Sequence, residues 1–282
     1  MVGPRLDAEG SMGMWTRLWF AAGGLATLAY ATAASADEAA GTLRLPVSYV
    51  ERGLTLPKMI LAPEVDFGVA RLNGATLVNL TALAQFSILD DLTVRATVAP
   101  LQLSPTFYYG NIDAPGPTVG ATYRFVRGEV EVGASVDLGV TAYQVTGVYF
   151  QAGLPVHVHF GTRARLDTGV FLPVQSFPGT TALGVNVPAR LAVDIIEPLH
   201  VGVSTGFQIA ELNPPKGVTV GNTAGVPLGI FGGYAIAGDK GPIVDIDPFF
   251  TWLAFISGAP GITNPDVKDF EVGVAVTGYI YL

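Results

Sequence analysis

Cysteine is absent from this chain of 282 residues, and charged residues are scarce, at 13% of the total. Without cysteine, the chain can form neither a disulfide framework nor a cysteine-ligated metal site. Lysine occurs only at positions 58, 216, 240 and 268, and the net charge is −8. Because nucleic-acid binding requires clustered basic residues, the composition excludes that function as well.

Long hydrophobic runs are also scarce, although hydrophobic residues make up 50% of the sequence. A helix that spans a bilayer needs about 18 or more apolar residues in succession. The only run near that length covers residues 18–34. A membrane protein with several transmembrane helices is therefore excluded, and the apolar character of the chain requires another architecture.

The N-terminus has the features of an export signal. Arg17 precedes the apolar run, and Ala34-Ser35-Ala36 provides a small-residue cleavage site after it. This order predicts a secretory signal peptide over residues 1–36, cleaved after Ala36. Met12 or Met14 would make a more typical start for such a peptide, and an uncleaved membrane anchor remains the alternative.

Residues 37–58 show no strong pattern and are interpreted as a periplasmic N-terminal segment, with entry into the barrel as an alternative. From residue 59 to residue 282 the hydrophobicity alternates with a period of two, which indicates strands with two different faces. In one such strand the apolar face carries Val130, Val132, Ala134, Val136, Leu138 and Val140, and the other face carries Glu131, Gly133, Ser135, Asp137 and Gly139.

About twelve segments share this alternation, and most are close to the 9–11 residues that a tilted strand needs to cross a bilayer. They cover residues 59–71, 76–88, 92–103, 118–126, 129–142, 152–161, 163–174, 184–196, 199–209, 225–237, 242–253 and 270–282. The sequence therefore predicts an all-β fold, a closed antiparallel transmembrane β-barrel of about 12 strands, with 10 or 14 strands as alternatives.

The links between these segments alternate in length. Short links cover residues 89–91, 127–128, 161–163, 196–198 and 238–241, and longer ones, rich in Pro and Gly, cover 104–117, 143–151, 175–183, 210–224 and 254–269. Barrels of the bacterial outer membrane have short periplasmic turns and long outer loops. This alternation predicts that the short links and both mature termini lie on the periplasmic side.

With these features, residues 59–282 resemble the porin-like outer-membrane β-barrel proteins of Gram-negative bacteria. The last strand ends in Tyr279-Ile280-Tyr281-Leu282, and in that family an apolar or aromatic C-terminal residue is the signal read by the barrel-assembly machinery. Leu282 stands where Phe is more common. The resemblance implies an integral outer-membrane location, with membrane lipid and the assembly machinery as partners, and it does not select one function.

A soluble β-sandwich or a lipocalin-like barrel is the alternative fold, because both are also built from alternating strands. Its outer face would have to be charged. In this sequence the second face of each strand is rich in Gly, Ala, Ser and Thr and poor in Lys and Glu, which favours the membrane barrel.

The polar face of the strands predicts which side chains line the lumen. The lumen-lining candidates are Arg95, Arg124, Glu131, Asp137, His157, His159, Arg165, Asp167, Arg190, Asp194, His200, Asp245 and Asp247. Matching the faces across the short turns sets Gln85 beside Arg95, Arg124 beside Glu131, His157 beside Asp167, His159 beside Arg165, and Asp194 beside His200. Two interpretations stay open: ion pairs that brace a narrow barrel, or a constriction that selects ions or small solutes.

The same face carries residue types that occur in catalytic and metal sites. His157 and His159 share one strand face, but no third ligand is evident and Arg165 opposite His159 would repel a cation, so no metal site is predicted. Asp194, His200 and Ser204 have the residue types of a catalytic triad. His200 and Ser204 are about 13 Å apart along one strand, so neither an enzyme nor a cofactor is predicted.

The leading functional prediction is a small outer-membrane channel or transporter that passes ions or small solutes through an acidic lumen. Small inward residues such as Gly133, Ser135 and Gly202 leave space inside the barrel. A barrel closed by a packed plug would fill this space with larger side chains, so the space favours an open lumen. The alternative is a structural or adhesin-like barrel with a closed lumen, and an outer-membrane enzyme ranks below both. The sequence leaves the solute and the oligomeric state open.

Overall fold

The computed structural model describes residues 44–72, 75–102, 117–141, 147–258 and 267–282. The predicted signal peptide and its cleavage site lie outside these described residues. Within the described ranges the chain forms fourteen strands: β1 Ile60–Leu72, β2 Ala75–Leu89, β3 Leu92–Gln102, β4 Thr118–Val126, β5 Val130–Thr141, β6 Gly147–Phe160, β7 Ala164–Phe177, β8 Thr180–Leu183, β9 Val185–Ile196, β10 Leu199–Ile209, β11 Ala224–Gly238, β12 Gly241–Ser257, β13 Phe270–Gly278 and β14 Ile280–Tyr281. In the part of the chain that the structure covers, no helix has the length and apolar character needed to cross a bilayer.

Twelve of these strands form a closed antiparallel barrel, which confirms the predicted fold and strand number. Each barrel strand pairs with its neighbours in sequence, and β13 returns to pair with β1 through Thr277 opposite Glu64 to Phe270 opposite Arg71. β8 lies outside this ring and extends a hairpin from β7, and β14 continues β13 along the first residues of β1. Closure leaves no unpaired edge on the barrel wall.

The links alternate in length as predicted, with different bounds at three of the long ones. β6 begins at Gly147 and β12 continues to Ser257, so the links predicted at residues 143–151 and 254–269 are shorter, because these strands continue their ladders with β5 and β11. The link predicted at residues 175–183 is mostly a hairpin of β7 and β8, with residues 178–179 as its turn. Within the link at residues 210–224, a single 3-10 turn covers Val220–Thr223.

The two faces of the strands differ as the alternation predicts. On β5, Val136 and Leu138 are 41% and 51% exposed on the outside, whereas Glu131 and Asp137 on the inner face are each 7% exposed. The same contrast recurs around the ring, where large aliphatic and aromatic side chains cover the exterior. A soluble barrel would bury this apolar face, so the structure favours an apolar exterior around a polar interior.

A stretch before β1 occupies part of that interior. Residues 44–58, named here the inner segment, lie inside the barrel at the end of the short links, where Leu45 and Val50 are 2% and 0% exposed. Val50 packs with Ala192 and Phe231 of the wall in a small hydrophobic cluster. Met59 connects the segment to β1 with a left-handed φ of 63°, a backbone conformation that is uncommon for a residue with a side chain.

The inner segment takes up space that the small inward residues leave. A Cβ atom added to Gly133 would lie 2.7 Å from Cδ2 of Leu54 in the inner segment and 2.8 Å from the carbonyl oxygen of Tyr123. Only glycine lets Leu54 approach the wall this closely. The space was predicted to indicate an open lumen, but part of it accommodates this segment.

Candidate functional site in the barrel interior

One side of the interior, the inner faces of β3 to β7, carries ion pairs and is named here the paired wall. Arg95 donates to Asp137 from Nε at 2.7 Å and from a terminal nitrogen at 2.5 Å. Arg165 donates to Asp167 from Nε at 2.5 Å and from a terminal nitrogen at 2.8 Å. Such two-point contacts between guanidinium and carboxylate fix both partners in orientation.

The ladders place most predicted neighbours opposite one another. Gln85 lies opposite Arg95, His157 opposite Asp167, His159 opposite Arg165, and His200 opposite Asp194. Arg124 differs: the ladder shifts beside it, and it lies opposite Gly133 instead of Glu131. Its long side chain still reaches Glu131, with 2.7 Å between the terminal nitrogen and Oε1.

The pair of Arg95 and Asp137 was not anticipated, because these residues lie on strands that are not adjacent. The register sets Arg95 opposite Gly120 on β4 and Gly120 opposite Asp137 on β5. A Cβ atom on Gly120 would lie 2.0 Å from Oδ1 of Asp137. Gly120 allows the contact across β4 because it has no side chain between the two charged residues. A glycine at this inward position is the feature of the sequence that could have indicated the pair.

The paired wall also holds the backbone of the inner segment. Arg165 donates to the carbonyl oxygens of Tyr49 and Arg52 at 2.7 and 2.9 Å. Nδ1 of His159 lies 2.8 Å from the carbonyl oxygen of Val50, and the amide of Leu54 donates to Oε2 of Glu131 at 2.5 Å. Three predicted lumen residues therefore bind main-chain groups of the inner segment.

Side chains of the inner segment contact the remaining part of the wall. Arg52 forms a buried ion pair with Asp245, whose Oδ2 also accepts a hydrogen bond from the Tyr279 hydroxyl at 2.6 Å. Ser48 donates to Oδ2 of Asp194 at 2.5 Å. The Tyr49 ring stacks on His200 with 4.1 Å between the ring centres. No periodic pattern in the sequence indicates these contacts.

The last four residues have two kinds of surroundings. The hydroxyl of Tyr279 donates to Asp245, and that of Tyr281 donates to the carbonyl oxygen of Pro242 at 2.8 Å. Ile280 and Leu282 are exposed on the outside. Their role as an assembly signal stays a prediction.

The opposite side of the interior, formed by β1, β12 and β13, is named here the acidic wall. It carries Glu64, Asp66 and Asp247 next to a cavity of ≈ 540 Å³. Within the described ranges, Oδ1 of Asp66 and Oδ1 of Asp247 are buried without a hydrogen-bond partner. Arg190 also lines this cavity, with its guanidinium 4.1 Å from the centre of the Phe231 ring.

The residue types of a catalytic triad have separate neighbours. Asp194 accepts a hydrogen bond from the Ser48 hydroxyl, and Nε2 of His200 lies 3.4 Å from Oδ1 of Asp247. Ser204 lies opposite Arg190 on β9 and Gly229 on β11. In the described part of the structure, Asp194, His200 and Ser204 therefore do not form the chain of hydrogen bonds that a triad requires.

The paired wall continues into the short link between β2 and β3. Asp91 accepts a hydrogen bond from Nε of Arg124 at 2.9 Å and pairs with Arg127 on the neighbouring turn. Burial alone would raise the pKa of Asp91, but the hydrogen bonds from Arg127 and Arg124 outweigh it and lower the pKa. The charge of Asp91 is thereby stabilised at neutral pH.

Comparison with solved structures places this fold among outer-membrane barrels. The NanC porin matches with 7% sequence identity over 77% of this chain and 100% of the porin, at a TM-score of 0.54. An outer-membrane channel from Pseudomonas putida F1 matches with 15% identity over 80% of this chain and 97% of the channel, at a TM-score of 0.50. At such identities the likeness concerns the fold. No protein-family model matches the sequence, and no curated protein matches it.

Proposed function

We propose that this protein is an integral outer-membrane channel that passes ions or small solutes and prefers cations. The observation that carries the proposal is the cavity of ≈ 540 Å³ beside the acidic wall. Carboxylates that line a pore attract cations and repel anions. Four carboxylates and two guanidinium groups line this cavity, so acidic side chains are in excess there: Glu64, Asp66, Asp245 and Asp247 against Arg52 and Arg190.

The outside of the barrel supports a place in a bilayer. Its apolar side chains provide the lipid-facing surface that a membrane barrel requires. The predicted signal peptide over residues 1–36 would export the chain through the inner membrane. In this proposal Tyr279-Ile280-Tyr281-Leu282 would then direct assembly into the outer membrane, with the short links on the periplasmic side.

A closed structural or adhesin-like barrel is the second candidate, and the inner segment favours it. This segment occupies the interior at the end of the short links and is bound there by Arg165, His159 and Glu131. If the inner segment stays in place, the lumen is closed and the interior contacts only stabilise the wall. The long outer links would then carry the function. An enzyme remains the least favoured function, because Asp194, His200 and Ser204 have separate neighbours.

Conductance in planar lipid bilayers distinguishes the two candidates. Purified protein of residues 37–282 is added to one side of a bilayer, and the current is recorded in symmetric KCl and then across a KCl gradient. The channel proposal predicts stepwise currents and a reversal potential of the sign that marks cation preference. Protein that is folded, as judged by different migration of unboiled and boiled samples, but silent at every voltage would support the closed barrel.

A further inference from the structure

Two of the three histidines of the chain meet a glutamate on the paired wall, next to the inner segment. The ladder sets Glu131 opposite His157, and His159 follows two residues later on the same face of β6. One ligand atom from each of these three side chains lies within 4.8 Å of the other two. Glu131 therefore supplies the third ligand, which was not evident from the sequence alone.

The hydrogen bonds around His159 determine which ring nitrogen is free. Its Nδ1 lies 2.8 Å from the carbonyl oxygen of Val50. A carbonyl oxygen can only accept, so Nδ1 carries the proton and Nε2 keeps its lone pair. A histidine held in this way by a backbone carbonyl has the arrangement that orients histidine ligands in metal sites.

His157 has a matching arrangement with a carboxylate. Its Nε2 lies 3.5 Å from Oδ1 of Asp167, so the proton of the neutral ring is favoured on Nε2. Nδ1 is then the nitrogen with a lone pair, and it is buried without a hydrogen-bond partner in the described part of the chain. A buried nitrogen without a partner costs free energy unless it binds a further group.

The carboxylate of Glu131 retains capacity for a ligand. Oε1 accepts a hydrogen bond from Arg124, and Oε2 accepts one from the amide of Leu54. Each carboxylate oxygen has two lone pairs, so one remains on each oxygen. These two donors hold the carboxylate in place beside the histidines.

The nearby arginines do not prevent a cation from binding. The guanidinium of Arg165 is engaged by Asp167 and by the carbonyl oxygens of Tyr49 and Arg52. Arg124 is bound by Asp91 as well as by Glu131. Arg165 and Arg124 therefore each contact a carboxylate outside the cluster, Asp167 and Asp91, and the repulsion by Arg165 that the sequence suggested is offset.

We propose that Glu131, His157 and His159 form a binding site for a divalent transition-metal ion of the zinc class. Two imidazoles and one carboxylate, with the fourth position left to water or a solute, are a donor set that zinc accepts. Ligand atoms in a tetrahedral zinc site lie about 3.3 Å apart, given bonds of about 2.0–2.1 Å. The present separations are all within 4.8 Å, so each pair of ligand atoms has to close by at most about 1.5 Å to reach that geometry.

The test uses tag-free, refolded protein in detergent and titration with ZnCl₂ by calorimetry. Wild-type protein is expected to bind one Zn²⁺ per chain, and His157→Ala and His159→Ala are each expected to weaken binding at least tenfold. His200→Ala is the matched control, since His200 is the third histidine of the inner face and lies outside this cluster. It is expected to bind Zn²⁺ like the wild type.

A second measurement keeps the test decisive if either variant fails to fold. Co²⁺ bound by two imidazoles and a carboxylate in a four-coordinate site has a characteristic visible absorption, which wild-type protein is expected to show and which Zn²⁺ should displace. Wild-type protein that binds neither ion would overturn the proposal. So would equal loss of Zn²⁺ binding in His200→Ala and His157→Ala, or full retention in both cluster variants.

Discussion

The two sides of the barrel interior use charge in different ways. On the paired wall, Arg95, Arg124 and Arg165 each bind a carboxylate of the wall directly. On the acidic wall, the carboxylates Asp66 and Asp247 have oxygens without a hydrogen-bond partner among the described residues, and the buried pair with Asp245 depends on an arginine supplied by the inner segment.

The difference shows which side of the interior contributes rigidity and which side is available to a solute. Buried carboxylates with guanidinium partners satisfy one another and hold adjacent strands in register. Carboxylates that are buried without such partners lower stability. A cost of this kind is commonly found at functional sites, so the acidic wall is the better candidate for contact with ions.

The largest effect on stability is expected from Arg52→Ala, which removes the arginine shared by the inner segment and the acidic wall. Asp245 would remain buried without its partner, and breaking a buried ion pair in this way costs about 3–5 kcal/mol. The free energy of unfolding, measured with urea in lipid vesicles, should fall by that amount.

The double variant Arg52→Ala with Asp245→Asn is the control for this prediction. It removes both charges and should recover part of the lost stability, because no buried charge is left unpaired. A loss below about 1 kcal/mol in the single variant would contradict the structure, since an ion pair between well-solvated groups contributes no more than that.

A smaller effect is expected from Gly133→Ser, which adds a side chain where the paired wall meets the inner segment. The new Cβ atom would lie 2.7 Å from Leu54 and 2.8 Å from the carbonyl oxygen of Tyr123. Overpacking of this kind costs about 1–3 kcal/mol, measured as a lower free energy of unfolding. Position 133 would otherwise tolerate serine well, because it faces a polar interior.

Gly225→Ser is the matched control on β11. A Cβ atom on Gly225 would have its nearest neighbours at 3.5 and 3.7 Å, both in the side chain of Gln208, which is ordinary contact. This variant should unfold at nearly the wild-type urea concentration. Equal losses in the two glycine variants would show that the inner segment does not press against Gly133.

The sequence predicted the wall of the barrel well because the wall is periodic. Alternation fixes which side chain points inward, and short turns fix which residues pair, so the pairs of His157 with Asp167 and of Gln85 with Arg95 follow from local pattern alone. The shift in the ladder beside Arg124 escaped prediction, since the extra residue of a bulge interrupts the alternation, and Phe125 and Val126 are both exposed.

The contents of the barrel could not be predicted in the same way. The inner segment has no regular strand or helix, and its contacts join residues far apart in the sequence, such as Arg52 with Asp245. The link between Arg95 and Asp137 spans an intervening strand, and Glu131 meets His159 through the side chains and not through the ladder. Such contacts depend on the closed shape of the barrel, which pairwise strand matching does not describe.

The two walls should respond differently to the loss of one negative charge. Asp247→Asn removes a charge with a buried oxygen that accepts no hydrogen bond, so it should reduce cation preference and leave the barrel at least as stable as the wild type. Asp137→Asn removes the carboxylate that Arg95 contacts at two points. It should destabilise the barrel by about 1–2 kcal/mol, because a charged group loses its hydrogen-bond partner.

Reversal potentials and urea unfolding of both variants measure this contrast. The same loss of stability in Asp247→Asn and Asp137→Asn would remove the distinction between the walls. An unchanged reversal potential in Asp247→Asn, with conductance retained, would show that the acidic wall does not face the permeating ion.

The smallest effect is expected at the end of the paired wall where the short links lie, from Asp91→Asn. The neighbouring arginines lower the pKa of Asp91. A carboxylate whose pKa is depressed by folding stabilises the folded state above its unfolded pKa of about 3.9, and this contribution disappears as the pH falls through the folded pKa. The variant should therefore be less stable than the wild type by about 0.5–1 kcal/mol between pH 5 and pH 8, since Arg127 is half-exposed and its pairing is weakened by solvent. Urea unfolding at a series of pH values measures the difference, which should shrink towards zero below the folded pKa, where Asp91 is protonated and resembles asparagine. Asp239→Asn, at the exposed turn between β11 and β12, is the control and should show no such difference at any pH. A difference for Asp91→Asn that persisted or grew in acid would mean that its pairing with Arg124 and Arg127 does not stabilise this end of the paired wall.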